Sequence, residues 1–166
     1  MTQEEKIAIA ETVRHRDRFG PVSQEELAAL SGKETELWIQ TKNGYCVHVF
    51  EERPEALPDR APILLNFHGG GFLKGRTDRE RRYCCAVMEA TNALVWDVDY
   101  SLAPEKPFPY AAEESYGIIQ YVFEHAEELC IDPEKIMLAG HSAGGNLVAS
   151  ALVKNAETKA FHPCCA

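Results

Sequence analysis

Two short stretches carry residue types that together could break an acyl bond. Gly140-His141-Ser142-Ala143-Gly144 has the spacing G-x-S-x-G. The apolar run Ile136 to Ala139 ends just before it, and a helix-forming run begins at Ala143. A serine on so sharp a strand-to-helix turn needs flanking glycines, because a β-carbon there would meet neighbouring backbone. Its hydroxyl would project at the carboxyl edge of a sheet, beside a helix N-terminus that favours developing negative charge. That is the setting of a nucleophile for acyl transfer; the plainer alternative is a glycine-rich turn whose serine only caps the helix. The second stretch, His68-Gly69-Gly70-Gly71-Phe72, follows the apolar run Ile63 to Phe67. Consecutive glycines expose backbone amides, the fixed donors that a tetrahedral oxyanion requires. A phosphate-binding turn would instead want lysine and a hydroxyl at G-x-x-x-x-G-K-[ST] spacing, and neither is in place.

A serine nucleophile also needs a general base, itself oriented by a carboxylate. After Ser142 the sequence offers one histidine, His162, and one acidic residue, Glu157. The helix after Ser142 should run back along the sheet, placing His162 at the amino edge, about 17–20 Å from the serine. His141 should point to the opposite face from Ser142 and pack or orient a loop. His68 is expected to brace the glycine loop through backbone hydrogen bonds, and Asp99 to satisfy nearby backbone or Tyr100. Arg79-Glu80-Arg81-Arg82 reads as a solvated helix face of mixed charge. His15, His48 and His125 lack the clustering of a metal site, so no metal and no cofactor is implied.

The elements that must position these groups follow from caps, turns and periodicity. Thr2-x-x-Glu5 and Ser23-x-x-Glu26 predict helices to about Arg18 and from Gln24 to Leu30. Asn43-Gly44 predicts a tight hairpin between strands Glu36–Lys42 and Tyr45–Glu51. After the proline-bearing linker Pro54 to Pro62 come strand Ile63–Phe67, helix Asp78–Ala90, strand Ala93–Val98, helix Tyr110–Leu129, strand Ile136–Ala139 and helix Ala143–Asn155. Strands alternating with helices of this length predict an α/β fold with a mostly parallel sheet covered on both faces.

Composition narrows the function classes. The 166 residues are 45% hydrophobic and carry 17 Lys+Arg against 26 Asp+Glu, a formal net charge of −9. That balance and the absence of a basic stripe argue against nucleic-acid binding. No apolar run reaches the roughly 18 residues of a membrane span. The acidic opening Met1-Thr2-Gln3-Glu4-Glu5-Lys6 lacks the basic character of a secretion leader, which makes the cytoplasm the expected address. The six cysteines show no Cys-x-x-Cys and are expected as reduced thiols, mostly packed in the core.

His-Gly-Gly-Gly-Phe at 68–72, Asp99-Tyr100-Ser101-Leu102-Ala103-Pro104-Glu105, and Gly-His-Ser-Ala-Gly-Gly-Asn-Leu at 140–147 resemble the hormone-sensitive-lipase group of α/β-hydrolase esterases. The likeness runs from about Thr35 to the last residue. It implies an esterase or deacetylase for short acyl esters, a small-molecule partner, working through an acyl-enzyme on Ser142. It implies oxyanion donors at Gly70, Gly71 and Ala143, with Gly69 shaping the loop. Residues 1–34 resemble the group's small helical cap, leaving 35–166 as a partial α/β-hydrolase core with an N-terminal hairpin. Ser101 stands where the group usually has arginine, and His141 where it commonly has aspartate. Because the group orders its triad serine, acid, histidine, the chain reads as a truncated N-terminal half, nearly inactive alone. The group also includes plant gibberellin receptors, so a ligand-binding module is the alternative expectation, and an inactive gene fragment the third.

Overall fold

The computed structural model describes residues 1–16 and 20–166. It opens with α1 (Gln3–Arg14) and α2 (Gln24–Ala28). Both begin with the reciprocal caps that their spacing predicts, Thr2 with Glu5 and Ser23 with Glu26. Both end earlier than expected, because the last turns tighten: the Arg16 amide bonds the Val13 carbonyl, and the Ala29 amide is shared between Glu25 and Glu26. Arg18, the expected end of α1, lies outside the described residues.

Gln3 ties the first turn of α1 to the Pro104 carbonyl, and Arg14 docks its last turn. The Arg14 guanidinium donates to both carboxylate oxygens of Glu105 (2.8 and 2.6 Å) and to the carbonyls of Leu73 (2.8 Å) and Ala103 (3.0 Å). Such two-pronged, charge-assisted pairing fixes orientation as well as distance. It holds the Glu105 carboxyl down at about 2, well below the usual carboxylate range.

β1 (Lys33–Gln40) and β2 (Cys46–Arg53) form the expected hairpin, with Lys33 opposite Arg53 and Gln40 opposite Cys46. The turn is longer than a two-residue Asn-Gly turn. The Thr41 amide bonds the Tyr45 carbonyl, and only Gly44 of the connection takes positive φ (89°). This is the geometry of a three-residue hairpin loop, in which the last residue alone must be left-handed.

The remaining elements are β3 (Ala61–Phe67), α3 (Asp78–Thr91), β4 (Leu94–Asp99), α4 (Tyr110–Glu124), β5 (Ile131–Gly140) and α5 (Ala143–Thr158). They build one sheet ordered β1-β2-β4-β3-β5. The sheet is mixed rather than mostly parallel: β4–β3 and β3–β5 are parallel, but β2 runs antiparallel to β4 as well as to β1. α4 stops at Glu124, short of Leu129, because residues 125–130 turn the chain into β5 and Cys130 takes φ 56°. β5 starts before Ile136. Ala61 pairs with Ile131 and Ile63 with Ile136, so Asp132-Pro133-Glu134 is a register irregularity within the strand instead of its lead-in.

Alternation along the strands divides the side chains between two faces. Ile63, Leu65, Phe67, Leu94, Trp96 and Val98 join Ile118, Ile119, Val122, Leu147 and Ala151 of α4 and α5 in the main core. Leu64 and Val95 meet Cys84 and Met88 of α3 on the other face. Only Cys84 and Cys85 are buried; Cys46, Cys130, Cys164 and Cys165 are exposed thiols, contrary to the expectation that most pack in the core. The solvated-face expectation for 79–82 also fails in part. Arg81 lies 3.2 Å from the fully buried Glu52, and Arg79 is half-buried, bonding the Gly20 carbonyl.

α5 approaches the sheet unusually closely. A β-carbon on Gly144 would lie 1.8 Å from the Phe67 carbonyl oxygen and 2.7 Å from that of His68, whereas one on Gly145 would find its nearest neighbour, the Gly140 carbonyl, at 3.1 Å. Neither carbonyl at Gly144 belongs to a side chain that could turn aside. Gly144→Ala is therefore expected to destabilise the fold by about 3 kcal/mol or more, and Gly145→Ala by clearly less, as read from thermal or urea melts. Hydrogen exchange at equal pH tests the Arg14 dock. Glu105→Gln should speed exchange of the α1 amides at pH 7 and leave the sheet unchanged. A depressed folded-state pKa means that the carboxylate contributes above its ordinary value of about 4.5 and loses that contribution as pH falls toward 2. The wild type should thus converge on the variant across that window.

Candidate active site

The two motifs leave the sheet side by side. Phe67, the last residue of β3, pairs with Gly140, the last of β5, so the glycine loop and the serine turn emerge at the same carboxyl edge. Gly140 is the other close approach: a β-carbon there would come within 2.5 Å of Gly144 backbone. Squeezed between these contacts, Ser142 adopts φ 54°, ψ −117°. For a residue with a side chain this is a sparsely populated conformation, costing about 1–3 kcal/mol and held only where the surroundings over-determine it.

Ser142 occupies the N-cap position of α5 without capping it. Its side chain makes no cap hydrogen bond, unlike Thr2, Ser23 and Thr77 at the starts of α1, α2 and α3. The plain-cap alternative is thereby excluded, and the residue is exposed. Its hydroxyl hydrogen-bonds none of the described residues. At this helix start the Ala143 amide meets no acceptor among the described residues, and the same holds for the Gly70 and Gly71 amides. Gly70 and Gly71 take φ of 128° and 63°, the region that favours glycine.

Contacts on every side shape the glycine loop. Tyr100 Oη donates to the His68 carbonyl (2.7 Å), and the two rings stack with centroids 4.2 Å apart. His68 is fully buried; its Nδ1 lies 2.7 Å from the Gly69 carbonyl, and its Nε2 lies 3.6 Å from Asp99 Oδ1, beyond hydrogen-bond range. Burial opposes charge on this imidazole, but Asp99 and the Gly69 carbonyl outweigh it and raise its pKa. The Gly69 amide donates to His141 Nε2 (3.2 Å), so His141 holds the loop through that nitrogen. The Leu73 and Lys74 amides return to the Gly70 carbonyl, and the Ala103 amide bonds the Phe72 carbonyl (2.8 Å).

Asp99 does not serve Tyr100 or backbone as expected. It lies between two imidazoles, His48 Nδ1 at 3.1 Å and His68 at 3.6 Å, and their pull lowers its pKa against the opposing effect of burial. His48 was not legible as a site neighbour from its isolation in sequence. It faces Asp99 across the β2–β4 pairing, and its other nitrogen reaches Glu36 (3.1 Å). Ser101, in place of the arginine of the resembled group, donates with its amide and hydroxyl to the buried Glu114 (2.7 and 2.8 Å). His162 lies outside the site. The Cys164 amide bonds the Ile136 carbonyl and the Leu138 amide the Cys165 carbonyl, so the chain returns beside β5 from the amino side. Counting from the Met137–Cys165 bridge, His162 falls about 20 Å below the Gly140 edge at the rise of an extended strand. Among the described residues no cluster suited to a metal ion occurs, and no helix is long and apolar enough to cross a membrane.

This geometry has counterparts among known proteins. The sequence profile of the alpha/beta hydrolase fold matches residues 64–164. Esterase LipI of Mycobacterium tuberculosis is 41% identical over 98 residues, covering 58% of this chain and 31% of that protein. Human hormone-sensitive lipase is 39% identical over 95 residues, 57% of this chain and 9% of the lipase. Among solved structures, a bacterial heroin esterase superposes with a TM-score of 0.76 at 30% identity, over 97% of this chain and 49% of its own. The chain spans less than half the length of each of these proteins. With the profile matching more than half of its residues, and with a serine turn and glycine loop side by side at one sheet edge, the chain belongs to the alpha/beta hydrolase fold family.

Proposed function

We propose that the chain carries the nucleophile and oxyanion half of a serine carboxylic-ester hydrolase acting on short acyl esters. Ser142 attacks the ester carbonyl and becomes the acyl-enzyme. The amides of Gly70, Gly71 and Ala143 receive the oxyanion, helped by the positive end of α5. Gly69 and His68 shape and brace the loop, and residues 1–34 act as a cap tied to it through Arg14. The observation that carries this reading is the uncapped, exposed Ser142 held at φ 54° at the same sheet edge as amides that meet no acceptor among the described residues. The similar proteins, esterases and a lipase, support ester hydrolysis over other acyl transfers.

None of the histidines near Ser142 among the described residues is placed as its general base. His141 is engaged with Gly69, His68 is buried on Asp99, and His162 is a strand length away. Loss of the base from a serine triad lowers turnover by about a millionfold. Hydrolysis of p-nitrophenyl acetate by the 166-residue chain is therefore expected to match a Ser142→Ala control. A fluorophosphonate tests nucleophile and donors without turnover: the serine oxygen bonds phosphorus, and fluoride leaves with the proton. Intact-mass and peptide analysis should find slow labelling at Ser142 ahead of Ser23, Ser31, Ser101, Ser115 and Ser150. Labelling spread evenly over these serines would overturn the reading; rapid Ser142-dependent turnover would show that a base lies within the chain.

A further inference from the structure

The glycine loop leaves β3 after Phe67 and ends where Thr77 caps α3. A single carboxylate touches both of its ends. Asp97, fully buried in β4, accepts from Asn66 Nδ2 on Oδ1 (2.7 Å) and from Arg76 Nε on Oδ2 (2.6 Å). Asn66 lies just before the loop and Arg76 at its close. The same guanidinium donates to Glu34 of β1 (2.5 Å), comes within 3.9 Å of Glu52 and sits 3.9 Å above the Phe50 ring. Burial opposes charge on both groups: on Arg76 the Asp97 and Glu34 carboxylates outweigh it, whereas on Asp97 burial outweighs Arg76 and Asn66 and raises the carboxyl; an arginine fork shared by two carboxylates has little freedom to shift.

The path from this clamp to the donors is short. Gly75 connects Arg76 to Lys74. The Lys74 amide bonds the Gly70 carbonyl (3.0 Å), and the Lys74 carbonyl packs so tightly on Gly70 that a β-carbon there would lie 2.4 Å away. Arg76 thus sits two residues from the backbone that packs on Gly70. We propose that Asp97 and Arg76 form a clamp that sets the glycine loop, with Arg76 a positioning residue for the Gly70 and Gly71 amides. This inference rests on the oxyanion role given to those amides under Proposed function.

The test uses the 166-residue chain and two readouts: the fluorophosphonate labelling rate of Ser142, and the amide resonances of Gly70 and Gly71. Misplacing a reacting group by about 1 Å costs on the order of a hundredfold, so Arg76→Met should slow labelling roughly tenfold to a hundredfold and shift both resonances. Adding Asp97→Asn to it should slow labelling little further, since the two act as a unit. Arg76→Lys, which keeps the charge without the fork, should recover part of the rate. Ile119→Val, a core change in α4 away from the loop, should lower the melting temperature without changing labelling, which separates positioning from general stability. Should Arg76→Met fail to fold, Arg76→Lys and Asp97→Asn read the same quantities. Wild-type labelling rates and unmoved Gly70 and Gly71 resonances in the folded variants would overturn the clamp, whatever their melting temperatures. If the wild type shows no preference for Ser142, the esterase reading fails, and the two glycine resonances still decide the clamp.

Discussion

The start of α5 rests on the backbone carbonyls of Phe67 and His68 at a distance that only a residue without a side chain permits. Because the partner is backbone, no rotamer change in β3 relieves the contact. Three features follow from it. The helix axis is pinned to the carboxyl ends of β3 and β5. The turn joining β5 to α5 has no slack, which drives Ser142 to positive φ. The first amide of the helix, at Ala143, is left at the sheet edge from which the glycine loop also departs. The fold positions the serine by removing side chains from its neighbours, and each removal is visible as a distance.

The two faces of the sheet do different work. Under α4 and α5 the core is almost wholly apolar, from Val47 to Phe161, and supplies the non-directional burial that holds the sheet together. Under α3 the apolar patch is small, and next to it lies a buried ionic group of Asp97, Arg76, Glu34, Glu52 and Arg81. Two cations face three carboxylates there. Burial and the nearness of Glu34 push the Glu52 carboxyl up to about 7, so a proton on it balances the group near neutrality. Buried pairs of this kind contribute little net stability but resist displacement. The ionic side of the sheet is the one that receives the end of the glycine loop.

Much of this architecture was legible in the sequence because it depends on local rules. Capping residues at Thr2 and Ser23, Asn43-Gly44 and the apolar runs of β3 and β4 mark their elements through neighbours in the chain. The glycines at 140 and 144 reveal the turn because no other residue fits. What escaped are partnerships between strands. Asp99 with His48, and Asp97 with Asn66, require the register of β2 on β4 and of β3 on β4, which no local pattern fixes. A signal was present all the same: Asn66 interrupts the run Ile63 to Phe67, and Asp97 and Asp99 interrupt an otherwise apolar strand. Polar residues in such strands must find buried partners. Exposure of Cys130, Cys164 and Cys165 was hidden for a related reason, since they lie in the turn leading into β5 and in the segment beside it.

The backbone at position 142 has a consequence for how this sequence persists. Glycine would relax there at almost no steric expense, so thermal resistance alone would favour losing the hydroxyl. A β-carbon retained at an energetically unfavourable point of the Ramachandran map records a demand other than durability. Randomising that codon under selection for heat tolerance alone, without selection for chemistry, should enrich glycine over serine.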